Sequence, residues 1–184
     1  LLIRFSFLEI SEYIIPFVWL TVGFILVFLI KKIVGCTAWQ GPADAIYCAH
    51  RPDKNMDIRQ GFGTVLAAFT SLSAGASLGQ YGPIVHMGAL IGGLFKKYNL
   101  SSMHLSNDIF LGCGVAAAIS AGFQAPIAGV IFAHEAILRH FSVRAIAPIA
   151  ISSICAASVG EWLNLSDNIL ALDFYPEPLI KQVP

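Results

Sequence analysis

The chain has 184 residues and a net charge of zero at pH 7, and it is 57% hydrophobic but only 12% charged. Soluble domains are roughly 45–50% apolar and about 25% charged, so this balance predicts a membrane protein. A chain without excess positive charge also lacks the usual signature of a nucleic-acid partner. We therefore expect an all-α, multi-pass protein that contacts a lipid bilayer, with residues 1–184 forming a single transmembrane region.

Six apolar runs divide the chain, and the first is the longest. Tyr13–Val34 could cross the roughly 30 Å hydrocarbon core as one helix. We interpret residues 35–49 as a short irregular stretch, followed by a polar loop at residues 50–55. The other apolar runs are Ile58–Leu78, Ile84–Phe95, Ile109–Phe123, Ile127–Leu138 and Val143–Leu163.

Several of these runs are shorter than the roughly 17–25 residues that a full membrane span needs. Broken helices persist at membrane depth only where the freed backbone is buried or lines a cavity. In transporters such breaks point to the binding site, which directs attention to Gly79–Pro83 and Gln124–Pro126. The many small residues, such as Gly88 and Gly92, are read as close helix packing.

Charge distribution predicts the orientation of the chain. Basic residues follow several runs, at Lys31, Lys32, Lys96, Lys97 and Arg139, whereas residues 160–178 carry acids and no Lys or Arg. By the positive-inside rule the basic turns are cytoplasmic and the acidic tail is outside. The absence of a targeting segment favours a bacterial inner membrane, and the first residue, Leu rather than Met, suggests a piece of a longer protein.

One segment carries a recognisable chemistry, Gly79-Gln80-Tyr81-Gly82-Pro83, which precedes Ile84 and Val85. A proline is favoured at the first position of a helix, because its missing N–H costs nothing there. The free amides of the first turn lie at the positive end of the helix dipole and bind anions. The segment therefore predicts an anion site across residues 79–85, although a plain helix break required by packing is the alternative.

Two stretches of the sequence resemble the chloride channel and chloride/proton exchanger (ClC) family. Residues 77–88 are similar to the family's Gly-(Arg/Lys)-Glu-Gly-Pro segment and the helix that follows it. Residues 112–135 resemble the longer stretch that contains Phe-x-Ala-Pro-x-Ala-Gly and closes on Phe-x-x-Glu. The resemblance implies an inverted-repeat transporter, normally a homodimer, with chloride as its ligand and no other cofactor. This chain would supply only the first repeat, and the second repeat would be absent.

Two departures from the family pattern concern protons. Tyr81 stands where the family has its external gating glutamate, and a phenol is neutral at physiological pH. Ala136 stands at the exchangers' internal proton-transfer glutamate, and Glu135 aligns with the acid beside it. The resemblance therefore predicts a channel-like anion pathway, with Tyr81 at the gate position, that is not coupled to protons.

A third departure concerns the ion. Aligned on Pro42, the family's Gly-Ser-Gly-Ile-Pro loop has Trp39 in place of the serine that touches the central ion. Thr37 could supply a hydroxyl only with a different backbone path. Anion conduction is therefore better supported than chloride in particular.

Several alternatives stay open at this level. The protein could be a chloride/proton antiporter that uses other acids, or a non-conducting membrane scaffold or sensor. His86 either lines the pore or packs against a polar neighbour, and Glu135 either pairs with Arg139 at i,i+4 or lies on the ion path. The cysteines form no CxxC pair and Leu138 breaks a His-Glu-x-x-His pattern, so we expect no metal site, no catalytic residue and no enzymatic activity.

Overall fold

The computed structural model describes residues 2–35, 38–51, 54–97 and 105–163, with side chains described from residue 15 onward. These residues form helices and connecting turns, with no strand among them. The all-α prediction is thus confirmed. The helices are α1 (Leu2–Val34), α2 (Pro42–Ala49), α3 (Ile58–Ser73), α4 (Tyr81–Lys97), α5 (Asn107–Phe123), α6 (Pro126–Phe132) and α7 (Val143–Trp162).

Two helices in the described ranges are long and apolar enough to cross a membrane, at Ile15–Val34 and Val143–Trp162. The first lies within α1, which continues through Pro16 without a break. The last apolar run and α7 coincide within one residue. The helices between them are shorter, as the breaks in the sequence predict.

The prediction of an irregular stretch at 35–49 is wrong for its second half, where α2 forms. Pro42 occupies the first turn of α2, where no N–H is needed. The Asp44 carboxylate accepts a hydrogen bond from the Gly41 N–H at 2.7 Å, which anchors the entry to the helix. This acid-to-backbone contact is half of a capping box, and Gly-Pro-x-Asp was its signal in the sequence.

The core is built around α5, which packs against α4 on one side and α7 on the other. Glycines bring α4 and α5 together, because a Cβ on Gly88 would lie 2.5 Å from the Gly114 carbonyl oxygen. A Cβ on Gly114 would likewise collide with the Gly88 carbonyl, and one on Gly92 with the Phe110 carbonyl. The packing role predicted for Gly88 and Gly92 is therefore confirmed.

Serine hydroxyls tie α5 and α6 to α7. The Ser120 hydroxyl donates to the Ser153 carbonyl at 2.6 Å, and the Ser153 hydroxyl donates to the Pro126 carbonyl at 2.7 Å. Ser152 donates to the Cys113 carbonyl at 3.0 Å. The first and third bonds join α5 to α7, and the Ser153 bond joins the short α6 to α7.

The fifth apolar run is not one regular helix. After α6 the chain widens into a π-helical turn at Ala133–Leu138 and ends on Arg139 in the left-handed conformation, at φ 56°. The wider turn moves Arg139 away from the i,i+4 position over Glu135. No ion pair joins the two in the described structure, so the expected pairing of Glu135 with Arg139 does not form.

Candidate anion-binding site

The start of α4 places the predicted anion segment at a helix N-terminus. The helix begins at Tyr81, so Pro83 is its third residue rather than its first. This position is still within the first turn, where an N–H has no partner in the helix. The Ile84 N–H already donates to the Gln80 carbonyl at 3.3 Å. The amides left at the mouth of the helix are therefore those of Tyr81 and Gly82.

The seven residues of the segment differ in their accessibility. Gly79, Gln80 and Tyr81 are exposed, Gly82, Pro83 and Ile84 are half-buried, and Val85 is buried. The segment thus runs from the surface into the helix packing over a single turn. An ion held by its amides would lie near the surface of this chain.

A second helix N-terminus lies beside the first. A Cβ on Gly82 would lie 3.8 Å from Cγ of Pro42, the residue that opens α2. Gly41-Pro42 opens α2, and Gly82-Pro83 lies in the first turn of α4. The two N-termini therefore lie side by side. The field of two helix dipoles adds there, which favours negative charge.

The two chain breaks singled out from the sequence are also neighbours. The Tyr81 ring stacks on the Phe123 ring with centroids 5.0 Å apart and planes 12° from parallel. Phe123 is the last residue of α5, and Gln124 then adopts the left-handed conformation, at φ 52°, before Pro126 opens α6. An aromatic contact therefore links the predicted gate residue to the second break.

Two polar side chains lie next to the paired N-termini without partners. His86 is 1% exposed, and within the described ranges neither of its ring nitrogens has a hydrogen-bond partner. The Oε1 atom of Gln40 is buried and unpaired in the same way. The sequence left the role of His86 open and did not single out Gln40, whose only signal was its place directly before Gly41-Pro42.

The other departures fall on Trp39, directly before Gln40, and on Ala136 in the π-helical turn. Trp39 is 45% exposed, and the Lys31 Nζ atom lies 5.9 Å from its ring centroid, in a cation–π contact over the face of the indole. Glu135 is exposed and Ala136 half-buried in the π-helical turn. Thr37 and the acidic tail beyond Leu163 lie outside the described residues. No group of His, Cys, Asp and Glu suited to a metal occurs in the described ranges.

Fold and composition together define an all-α membrane protein in which the N-termini of two helices lie side by side. A sequence model of the family described as "Voltage gated chloride channel" matches residues 22–182. The match extends over most of the chain, so this protein belongs to the voltage gated chloride channel family.

Individual relatives agree with this assignment. The chain is 29% identical over 107 residues to a putative chloride channel protein ClcB-like of Ralstonia nicotianae, covering 56% of this chain and 25% of the relative. It is 27% identical over 105 residues to the voltage-gated ClC-type chloride channel ClcB of Escherichia coli and to that of Shigella boydii, covering 57% of this chain and 25% of each relative. The chain thus matches about a quarter of the length of these relatives. No solved structure matches it significantly.

Proposed function

We propose that this chain contributes to a passive pathway for chloride or a similar anion that is not coupled to protons. The observation that carries the proposal is the meeting of two helix N-termini, where Gly82 of α4 lies against Pro42 of α2. Family membership supports the class of protein, and this geometry supports the paired N-termini as the proposed place of the anion.

Paired helix ends suit an ion that must be bound and released. The α4 N-terminus presents the N–H groups of Tyr81 and Gly82, which have no partner within the helix, whereas at α2 the Gly41 N–H is taken by Asp44. Partial dipole charges attract an anion without the deep binding that a fixed lysine or arginine would impose. Conduction requires this balance between entry and exit.

The residues at the two proton-handling positions support uncoupled conduction. The Tyr81 side chain is 56% exposed at the start of α4 and stacks on Phe123. Its hydroxyl could donate a hydrogen bond to an anion at the mouth. A phenol, however, neither mimics the anion nor transfers protons as a carboxylate does. Ala136 has no ionisable group at all. A rotation of the Tyr81 ring off Phe123 would change the access of an anion to the start of α4.

The complete pathway requires more protein than these residues supply. Since the relatives are matched over only 25% of their length, the other side of the anion site would come from further chain. The exposed apolar side chains of α1, such as Phe17 and Phe24, fit contact with lipid. We propose that the protein is a multi-pass homodimer in a bacterial inner membrane.

Chloride efflux with simultaneous pH recording tests the proposal. The protein at its full native length is reconstituted in liposomes, alongside the Tyr81→Glu and Tyr81→Phe variants. We expect chloride efflux without proton movement, slowed by Tyr81→Glu because a carboxylate can compete with the anion for the helix N-terminus. Tyr81→Phe keeps the ring stack on Phe123 and should stay close to the wild type in rate.

Two results would contradict this function. Protons that move in a fixed ratio with chloride would indicate an antiporter that uses other acids. No efflux from well-folded wild-type protein would favour a non-conducting scaffold or sensor.

A further inference from the structure

The His86 imidazole is buried without any hydrogen bond that satisfies its two nitrogens. It is 1% exposed, in the second turn of α4, directly after the buried Val85. A buried polar group normally has a partner, since an unpaired one loses its bonds to water without compensation. An imidazole with both nitrogens unpaired therefore indicates that a partner is to be found outside the described protein atoms.

The surroundings of this imidazole place it at the paired helix N-termini. The carbonyl of Gly41, the residue before α2, lies near enough to attract an N–H of the ring, although the contact falls outside strict hydrogen-bond geometry, and the Asp44 carboxylate acts on the ring from the first turn of α2. Asp44 itself is occupied by the Gly41 N–H at 2.7 Å. His86 thus points to the entry of α2 rather than into the apolar core.

Gln40, two residues before the start of α2, carries a second buried and unpaired group. A Cβ added to Gly61 would lie 3.1 Å from the Gln40 Oε1 atom and would collide with the Leu90 side chain. Leu90 follows His86 by one turn on α4, so Gln40 approaches α4 near that turn. Oε1 is buried and has no donor in the described chain. A half-turn of the amide exchanges oxygen for nitrogen at this position, so Gln40 can present an N–H there as readily as an oxygen.

We propose that His86 and Gln40 are additional ligands of the transported anion, forming a polar recess behind the N-termini of α2 and α4. This inference rests on the proposed anion pathway and extends it inward from Tyr81. A neutral imidazole donates one N–H, and the turned amide donates another. A small inorganic anion that accepts both would satisfy two groups that the protein leaves unpaired. We identify this anion as the conducted ion itself. A water molecule in the recess is the competing occupant.

Chloride binding to the purified, full-length protein distinguishes these occupants. Isothermal titration calorimetry compares the wild type with His86→Leu, which removes the donor, and His86→Gln, which keeps an N–H. Loss of a hydrogen bond to a charged group weakens binding by about tenfold or more. We expect that loss for His86→Leu, with His86→Gln within about threefold of the wild type.

His134 provides the matched control. It is 0% exposed, but its Nδ1 atom lies 3.0 Å from the Val130 carbonyl and its ring stacks on Phe141. His134→Leu therefore removes a buried imidazole that already bonds a backbone carbonyl through Nδ1, although its Nε2 atom is unpaired, and chloride affinity should not change. If His86→Leu does not yield monodisperse protein, Gln40→Leu carries the test and should weaken binding too.

The outcomes separate this inference from the function on which it rests. Chloride binding that is unchanged in His86→Leu, or in Gln40→Leu where that variant carries the test, would overturn the inference and leave the anion pathway intact, with water as the occupant. An equal loss in His86→Gln and His86→Leu would also overturn it, since shape rather than the N–H would then matter. A wild type that binds and conducts no chloride would refute the proposed function itself.

Discussion

α1 and α5 are both apolar helices, yet they occupy opposite environments in this protein. Among residues 15–34 of α1 only Gly23 is buried, and the exposed residues include large ones such as Trp19, Phe24 and Phe28. α5 is buried along much of its length, and its buried side includes Gly112, Ala116 and Ser120. Hydrophobicity therefore does not separate the inside from the outside of this fold.

Helices pack together in this fold where small residues lie at their crossings. Lipid tails are as apolar as leucine, so no hydrophobic force drives one apolar helix against another in a bilayer. Helices associate where small residues let their backbones approach, as at Gly88 and Gly114, and where hydroxyls bond across the gap, as at Ser120. Large aliphatic side chains such as Leu111 and Ile149 fill the core beside these crossings, whereas the aromatic side chains of α1 lie on the face that we assign to lipid.

The largest expected effect comes from placing a charge on the exposed face of α1. Phe24 is 73% exposed, and Phe24→Arg should make insertion of α1 less favourable by about 2.5–3.5 kcal/mol, the cost of a charge at the centre of a span. Glycosylation mapping of the inserted fraction measures this, with Phe24→Leu as the apolar control. Equal insertion of both variants would show that this face does not meet lipid.

A methyl group at the α4–α5 crossing should have the next largest effect. Gly114→Ala places a Cβ against the Gly88 carbonyl, and overpacking of this kind costs about 1–3 kcal/mol. In Gly93→Ala the new Cβ would lie 3.6 Å from the Leu111 Cδ2 atom, an ordinary contact, so this control should be neutral or slightly stabilised. Thermal unfolding in detergent compares the two, and equal midpoints would contradict the role of glycine at the crossing.

Removal of an interhelical hydroxyl should have a smaller effect. Ser120→Ala loses the bond to the Ser153 carbonyl, which should cost about 0.5–1.5 kcal/mol. Ser73→Ala is the control, because that exposed hydroxyl bonds only within its own helix, to the carbonyls of Phe69 and Thr70. Denaturation by SDS measures both. A loss in Ser73→Ala as large as that in Ser120→Ala would deny that bonds between helices matter more.

The smallest expected effect lies at the entry of α2. Asp44→Ala removes the acceptor of the Gly41 N–H and should cost about 0.5 kcal/mol, since the carboxylate is exposed and water can replace it. Asp44→Asn keeps an oxygen at the same place and should lose less. Thermal unfolding of the two variants checks this, and an equal loss in both would indicate that charge rather than the bond stabilises the entry.

The sequence by itself determined the class of the protein, the approximate helices and the two breaks. Long apolar runs, prolines and glycines act locally, so Val143–Leu163 predicted α7 within one residue, and Gly79–Pro83 marked the start of α4. The same local signals gave too little weight to α2, because an eight-residue helix is too short to show a clear apolar period. The site residues 79–85 remain a prediction for the flux and binding experiments.

Only the tertiary structure decided which of these local features meet. Residues 40 and 86 are far apart along the chain, and nothing in their spacing reveals that both are buried and unpaired beside the N-termini of α2 and α4. The stack of Tyr81 on Phe123 likewise joins two breaks that the sequence could locate but not connect. Such contacts depend on the close approach of α4 and α5 at their glycines, and a long-range approach of this kind is a property of packing rather than of any local pattern.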